Sequence, residues 1–153
     1  MTPAVAEFWK KFCDASGADR TASFYEAFHF DDNEASANQL GALVLAGTKR
    51  ATASLASLYE SPAHPAPTSG ALSVVTDWSG KPLCVIETLS LGVVRFEQVT
   101  AEFAATEGEG DGSLEHWLRV HWDYFSRECA RLGRERSPDM PVLCETFRVV
   151  YRP

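Results

Sequence analysis

No apolar run in this 153-residue chain approaches the ~20 residues that would span a bilayer. Lys10-Lys11 is not followed by the apolar core of a signal peptide either, so a cytosolic location without membrane contact is expected. The four cysteines, Cys13, Cys84, Cys129 and Cys144, are too widely spaced for a zinc knuckle. Each lies in an apolar context that points to a reduced core or near-surface thiol. There is no internal repeat, low-complexity tract or linker, so residues 1–153 read as a single domain. Lysine is scarce, with four against ten arginines. Basic residues almost vanish from Phe96 to Asp123, where Arg119 faces seven acids, a local balance of −6 out of −7 for the whole chain. Such a balance argues against a protein that simply coats nucleic acid, although an amine or a cation would be attracted to that segment.

Hydrophobic residues make up 45% of the chain and charged residues 23%, a balance usual in globular domains. Residues 4–15 have the spacing of an amphipathic helix, with Val5, Phe8, Trp9 and Phe12 on one side and Gly17 past its end. Phe24 to Phe30 reads as an aromatic-rich loop. Asp31, Asp32 and Asn33 offer caps for a second helix, which Ala37, Leu40, Val44 and Leu45 carry to about Ala46. Gly47 suits a left-handed residue beyond it. Ala51–Leu58 is ambiguous, and 61–70 is a proline-rich loop. Leu72–Thr76 and Leu83–Val94 are strand-like, with a hairpin connection over 78–82. Ser113 caps a long helix that ends at Gly133, and Val142–Tyr151 alternates as a terminal strand. This order predicts an α+β fold, with helices packed around a small sheet or barrel.

The stretch Gly47-Thr48-Lys49-Arg50-Ala51-Thr52 sets an amine and a hydroxyl near one turn. A lysine amine can lose its proton when desolvated and serve as base or nucleophile, which arginine cannot do. The simpler alternative is an exposed lysine at the negative end of the preceding helix. Glu107, Glu109 and Asp111 could hold a metal, but in glycine-rich sequence such a run is more simply a solvated loop. His116 and His121, five apart, do not share a helical face, so no zinc pair is expected. Trp78 and Tyr59 could stack a base, yet aromatics beside turns more often fill a core. Ser126 reads as an exposed hydroxyl. Gly108, Gly110 and Gly112 lack the strand-then-helix setting of a dinucleotide fingerprint.

Three stretches together resemble the ASCH domain family of the PUA-like superfamily. They are Gly47, Lys49 and Thr52, matching a Gly-x-Lys-x-x-Thr/Ser signature; Glu107 to Asp111 with Ser113, Trp117 and His121; and Met140-Pro141-Val142 through Cys144-Glu145-Thr146-Phe147 to Val150-Tyr151. The resemblance implies a PUA-like small β-barrel decorated by helices. Some small members resemble amidohydrolases that remove the acetyl group of N4-acetylcytidine. Their lysine, threonine and Ala-x-x-Glu glutamate correspond to Lys49, Thr52 and Glu107, the last preceded by Ala104. This chain is longer than those members and carries the Glu-Gly-Glu-Gly-Asp run they lack.

The expected chemistry is therefore acyl hydrolysis with Lys49, Thr52 and Glu107 as catalytic residues, and no metal or other cofactor. Thr52 would attack, Lys49 would take its proton and Glu107 would serve the leaving nitrogen. A carboxylate beside Lys49 opposes that role by favouring the ammonium. A charged Lys49 facing the oxyanion, with Glu107 as base, is the variant. Arg50, Asp111 and His121 are the expected substrate contacts, although a lone helical histidine also serves packing. The partner is a nucleoside-like ligand or RNA. A ribonuclease or RNA-binding module and a non-catalytic binder of a nucleotide-like ligand are the alternatives. In an extended strand, positions 49 and 52 point to opposite faces, so only a bend unites them.

Overall fold

The computed structural model describes the whole chain, Met1–Pro153. Five strands form one sheet in the order β1-β3-β4-β5-β2, where β1 is Phe24–Phe28, β2 Ala51–Leu55, β3 Leu72–Thr76, β4 Pro82–Arg95 and β5 Pro141–Tyr151. The sheet keeps two edges, β1 and β2, and is open rather than the closed barrel expected. Four helices accompany it, namely α1 (Pro3–Ser16), α2 (Glu34–Leu45), α3 (Ala101–Glu107) and α4 (Leu114–Arg131). None is long and apolar enough to cross a membrane. By contact density the chain divides into two compact units, which the long strands β4 and β5 both traverse.

The first unit comprises Met1–Gly47, Pro67–Leu89 and Phe147–Pro153. Helix α1 starts where the Thr2 hydroxyl accepts the Val5 N–H, with Pro3 at the first helical position, and it stops at left-handed Gly17. Its buried face of Val5, Phe8, Trp9 and Phe12 packs on Leu72, Val74 and Val85. A second cluster unites Phe30, Val44, Val75, Cys84, Ile86 and Phe147. Strand β3 is buried at every position, Ser73 and Thr76 included. It pairs antiparallel with β4 and parallel with β1. The predicted loop at Phe24–Phe30 is thus largely a strand. Its partner lies almost fifty residues away, so no local pattern announces it. At Gly41 a Cβ would come within 2.7 Å of the Leu83 side chain, so glycine lets α2 approach β4.

The second unit comprises Thr48–Ala66 and Ser90–Thr146. Strand β2 runs antiparallel to β5, from Ala51 opposite Thr146 to Leu55 opposite Val142. Helix α4 presents Trp117, His121, Phe125 and Cys129 as its buried stripe, a strict four-residue spacing. Its core partners include Leu55, Phe96, Val99, Ala104, Met140 and Val142. Helix α3 was not evident in the sequence. It has seven residues, is capped by the Thr100 hydroxyl, and ends at left-handed Gly108.

Candidate active site

Two backbone contacts bring the Lys49 segment to the end of α3. The Arg50 N–H donates to the Thr106 carbonyl at 3.0 Å. Gly108 lies against Thr48 so closely that a Cβ there would collide with the Thr48 carbonyl. Its φ of 67° is also the left-handed conformation that favours glycine. Glu107, the last residue of α3, is thereby set beside Lys49.

Both side chains are almost wholly buried, at 1% exposure each. The Lys49 ammonium donates to the Ala51 carbonyl at 2.8 Å, to Glu109 Oε1 at 3.1 Å and to Glu107 Oε1 at 3.3 Å. The other oxygen of Glu107 accepts the indole N–H of Trp117. It also lies 3.1 Å from His121 Nε2, which in turn is 3.7 Å from Glu109 Oε2. His121 Nδ1 is 2.9 Å from the Trp117 carbonyl, one helical turn back. A carbonyl can only accept, so Nδ1 carries a hydrogen. The imidazole and indole rings stack in parallel.

Charge is thus concentrated in a dry place. Burial opposes a charged Lys49, but the two carboxylates outweigh it and hold its pKa above the ordinary lysine value. Burial also opposes ionisation of Glu107, yet Lys49, His121 and the Trp117 N–H together lower its pKa to about 2. His121 is likewise penalised by burial, and Glu107 chiefly raises it above its usual value. The field of Glu107 extends to Cys144 on β5, where burial first and that carboxylate second push the thiol up to about 12. All four cysteines are free thiols.

Of the predicted catalytic trio, Lys49 and Glu107 meet. Lys49 is buried just before β2, whereas Thr52 lies within β2, half-buried and on the face opposite Ala51. Thr52 stands across from Glu145 in the β2–β5 ladder. Arg50 is exposed. Asp111 is exposed too and accepts the Ser113 N–H, shaping the loop before α4. Among the predicted substrate contacts, only His121 joins Lys49 and Glu107. Ser126 donates to the Trp122 carbonyl within its own helix. Tyr59 stacks on His64, and Trp78, in the first unit, lies against His29.

Glu109 and Trp117 complete the cluster, and neither role shows in the sequence. Glu109 reads as a solvated loop acid, and Trp117 as helix core. Trp117 and His121 are four apart on α4, and that spacing was the available signal for a shared face.

Glu107, Glu109 and His121 each offer a ligand atom, all within 4.8 Å of one another. The cluster can thus bind a cation, hold a polar substrate atom against the ammonium, or pass a proton through Glu109, whose side chain is its most exposed at 13%.

The family model for the ASCH domain matches residues 26–151. A crystal structure of an ASCH domain from Lactobacillus crispatus JV V101 is 40% identical, with a TM-score of 0.90 over 99% of this chain and 97% of that one. A crystal structure of an Enterococcus faecalis V583 protein is 30% identical, with a TM-score of 0.89 over 98% of this chain and 90% of that one. No curated protein matches the chain. Motif order, near-complete coverage and superposition agree, and the chain belongs to the ASCH domain family.

Proposed function

We propose that the protein is a hydrolase of a modified nucleoside or a similar small amide, acting at the cluster around Lys49. The observation that carries this reading is the buried Lys49–Glu107 pair, completed by Glu109 and His121. Sequestering that many ionisable groups costs several kcal/mol per ion, roughly, before their mutual attraction is counted. Hydrophobic side chains of similar volume would fill the same space more cheaply. Clusters that resist this simplification are functional-site candidates.

In this reading Lys49 stays charged, its pKa raised by the two carboxylates, and one of its three N–H groups turns from a glutamate to the developing oxyanion. It is not the base. Glu107 organises the site from both of its oxygens. Water, rather than the Thr52 hydroxyl, attacks the acyl carbon; Glu109 takes the proton of that water and returns it to the leaving nitrogen as the C–N bond breaks. A small site with little exposure suits a single modified base better than a folded polymer.

Incubation with N4-acetylcytidine and a panel of acylated nucleosides tests the proposal. Wild type should release the free amine, and Lys49→Ala should lose at least about a hundredfold in kcat/KM, the scale of one lost oxyanion partner. Absence of turnover across the panel refutes it.

An RNA-binding role is the second reading. It is favoured by arginines on α4 and in the segment after it, where Arg127 lies over Tyr124 at 5.8 Å and Arg136 over Trp122 at 5.4 Å. RNA affinity that falls steeply with salt, without products, would support it.

A further inference from the structure

We propose that Glu107, Glu109 and His121 bind one zinc-class divalent cation. The inference concerns the same cluster as the hydrolase reading but does not rest on it, because binding is measured without substrate.

The donor set is the first ground. One imidazole and two carboxylates suit a borderline divalent ion, and three protein ligands leave a position for water. The separations fit as well. A tetrahedral ion with bonds of ~2.0–2.1 Å needs ligand atoms ~3.3–3.4 Å apart. His121 Nε2 lies 3.1 Å from Glu107 Oε2 and 3.7 Å from Glu109 Oε2, on either side of that spacing.

The independent ground is the orientation of His121. This residue is only 6% exposed, and its Nδ1–H is anchored on the Trp117 carbonyl. With Nδ1 engaged, Nε2 is the nitrogen left for an ion, and it is aimed between two carboxylates, 3.1 Å from Glu107 Oε2 and 3.7 Å from Glu109 Oε2. An incoming ion would take the place of the proton that His121 holds toward Glu107, so binding releases a proton. A histidine fixed at one nitrogen by a carbonyl, with the other aimed among acids, is how metal ligands are oriented from behind.

Glu107 is supported in the same manner. Its Oε1 is held by Lys49 and its Oε2 accepts the Trp117 indole N–H while keeping a second lone pair. Lys49 engages the Oε1 atoms of both glutamates, which leaves both Oε2 atoms toward His121. The ammonium repels an incoming ion, so affinity is moderated rather than abolished. An ion there would lower the pKa of a bound water, and Lys49, engaged as it is, does not supply that activation.

The test is titration of EDTA-treated full-length protein with Zn2+ by calorimetry and with Co2+ by visible absorption. One ion per chain is expected, and the cobalt spectrum should lack a thiolate charge-transfer band. His121→Ala and Glu109→Gln should each weaken binding at least about thirtyfold, while Asp111→Asn leaves it unchanged. Lys49→Met should tighten it about tenfold, because the repelling charge is gone. Glu109→Gln is near-isosteric and the residue is partly exposed, so its folding is expected to survive and can be checked by circular dichroism. No binding by wild type, or binding that His121→Ala and Glu109→Gln leave intact, overturns the inference. A protein that binds the ion but hydrolyses no acylated nucleoside keeps this site and loses the hydrolase reading; the reverse result separates them equally well.

Discussion

The imidazole of His121 lies parallel to the indole of Trp117, with centroids 4.0 Å apart and planes 10° from coplanar. One helical turn thus supplies both groups that face Glu107 Oε2, the indole N–H and imidazole Nε2. Stacking fixes the two rings mutually, so a change in either one is felt by the carboxylate.

Trp117→Phe keeps most of that aromatic surface and removes the N–H donor. Glu107 then loses a charge-assisted hydrogen bond in a buried setting. The expected cost is about 1–3 kcal/mol in unfolding free energy, read by urea denaturation. The carboxyl pKa of Glu107, followed by NMR, should rise from its depressed value.

Gly108→Ala should be more harmful than Gly112→Ala, although both glycines have positive φ. Each substitution carries the left-handed penalty of about 1–2 kcal/mol. At Gly112 a Cβ meets nothing within 4 Å, whereas at Gly108 it runs into the Thr48 carbonyl. Only the latter should also disturb the Lys49–Glu107 contact. Denaturation midpoints of the two variants, with activity measured alongside, provide the comparison.

Stability should be greatest between about pH 4.5 and 6.5 in chelator-treated protein. The lowered Glu107 contributes stability that is present above its unfolded value of 4.5 and is lost as pH falls toward about 2. The raised His121 contributes stability that is complete below 6.5 and is lost as pH climbs through its higher folded value. Unfolding free energies for wild type and His121→Gln across pH 4 to 9 check the sign. The alkaline-side decline should be present in the first and absent from the second.

Thr52→Val should leave hydrolysis within about threefold of wild type, because water rather than this hydroxyl is the nucleophile proposed. Loss comparable to that of Lys49→Ala would restore the threonine to the reaction.

The convergence of Lys49 with Glu107 was legible in the sequence because a short motif and a downstream acid carry the family resemblance. The relation of Thr52 to Lys49 was not legible, because it depends on where β2 starts, and the strand takes in Thr52 but not Lys49. Strand β1 was not legible. Five aromatic-rich residues become a strand only through parallel pairing with β3, a contact no local window contains. Helix α3 escaped because seven residues give too little periodicity, although Thr100 and Gly108 mark its ends. Glu109 looked like a solvated loop acid, since nothing in a Glu-Gly-Glu-Gly-Asp run distinguishes the residue turned inward. The apolarity of Trp117 points to the core, where it packs, and no sequence pattern reveals the partner of its one polar atom.

The Lys49 ammonium ties the charge cluster to the backbone through the Ala51 carbonyl. That acceptor is buried at the first residue of β2, so removing the ammonium would leave it unsatisfied. The start of the strand is therefore held by the same side chain that anchors the charge cluster, as well as by its ladder with β5.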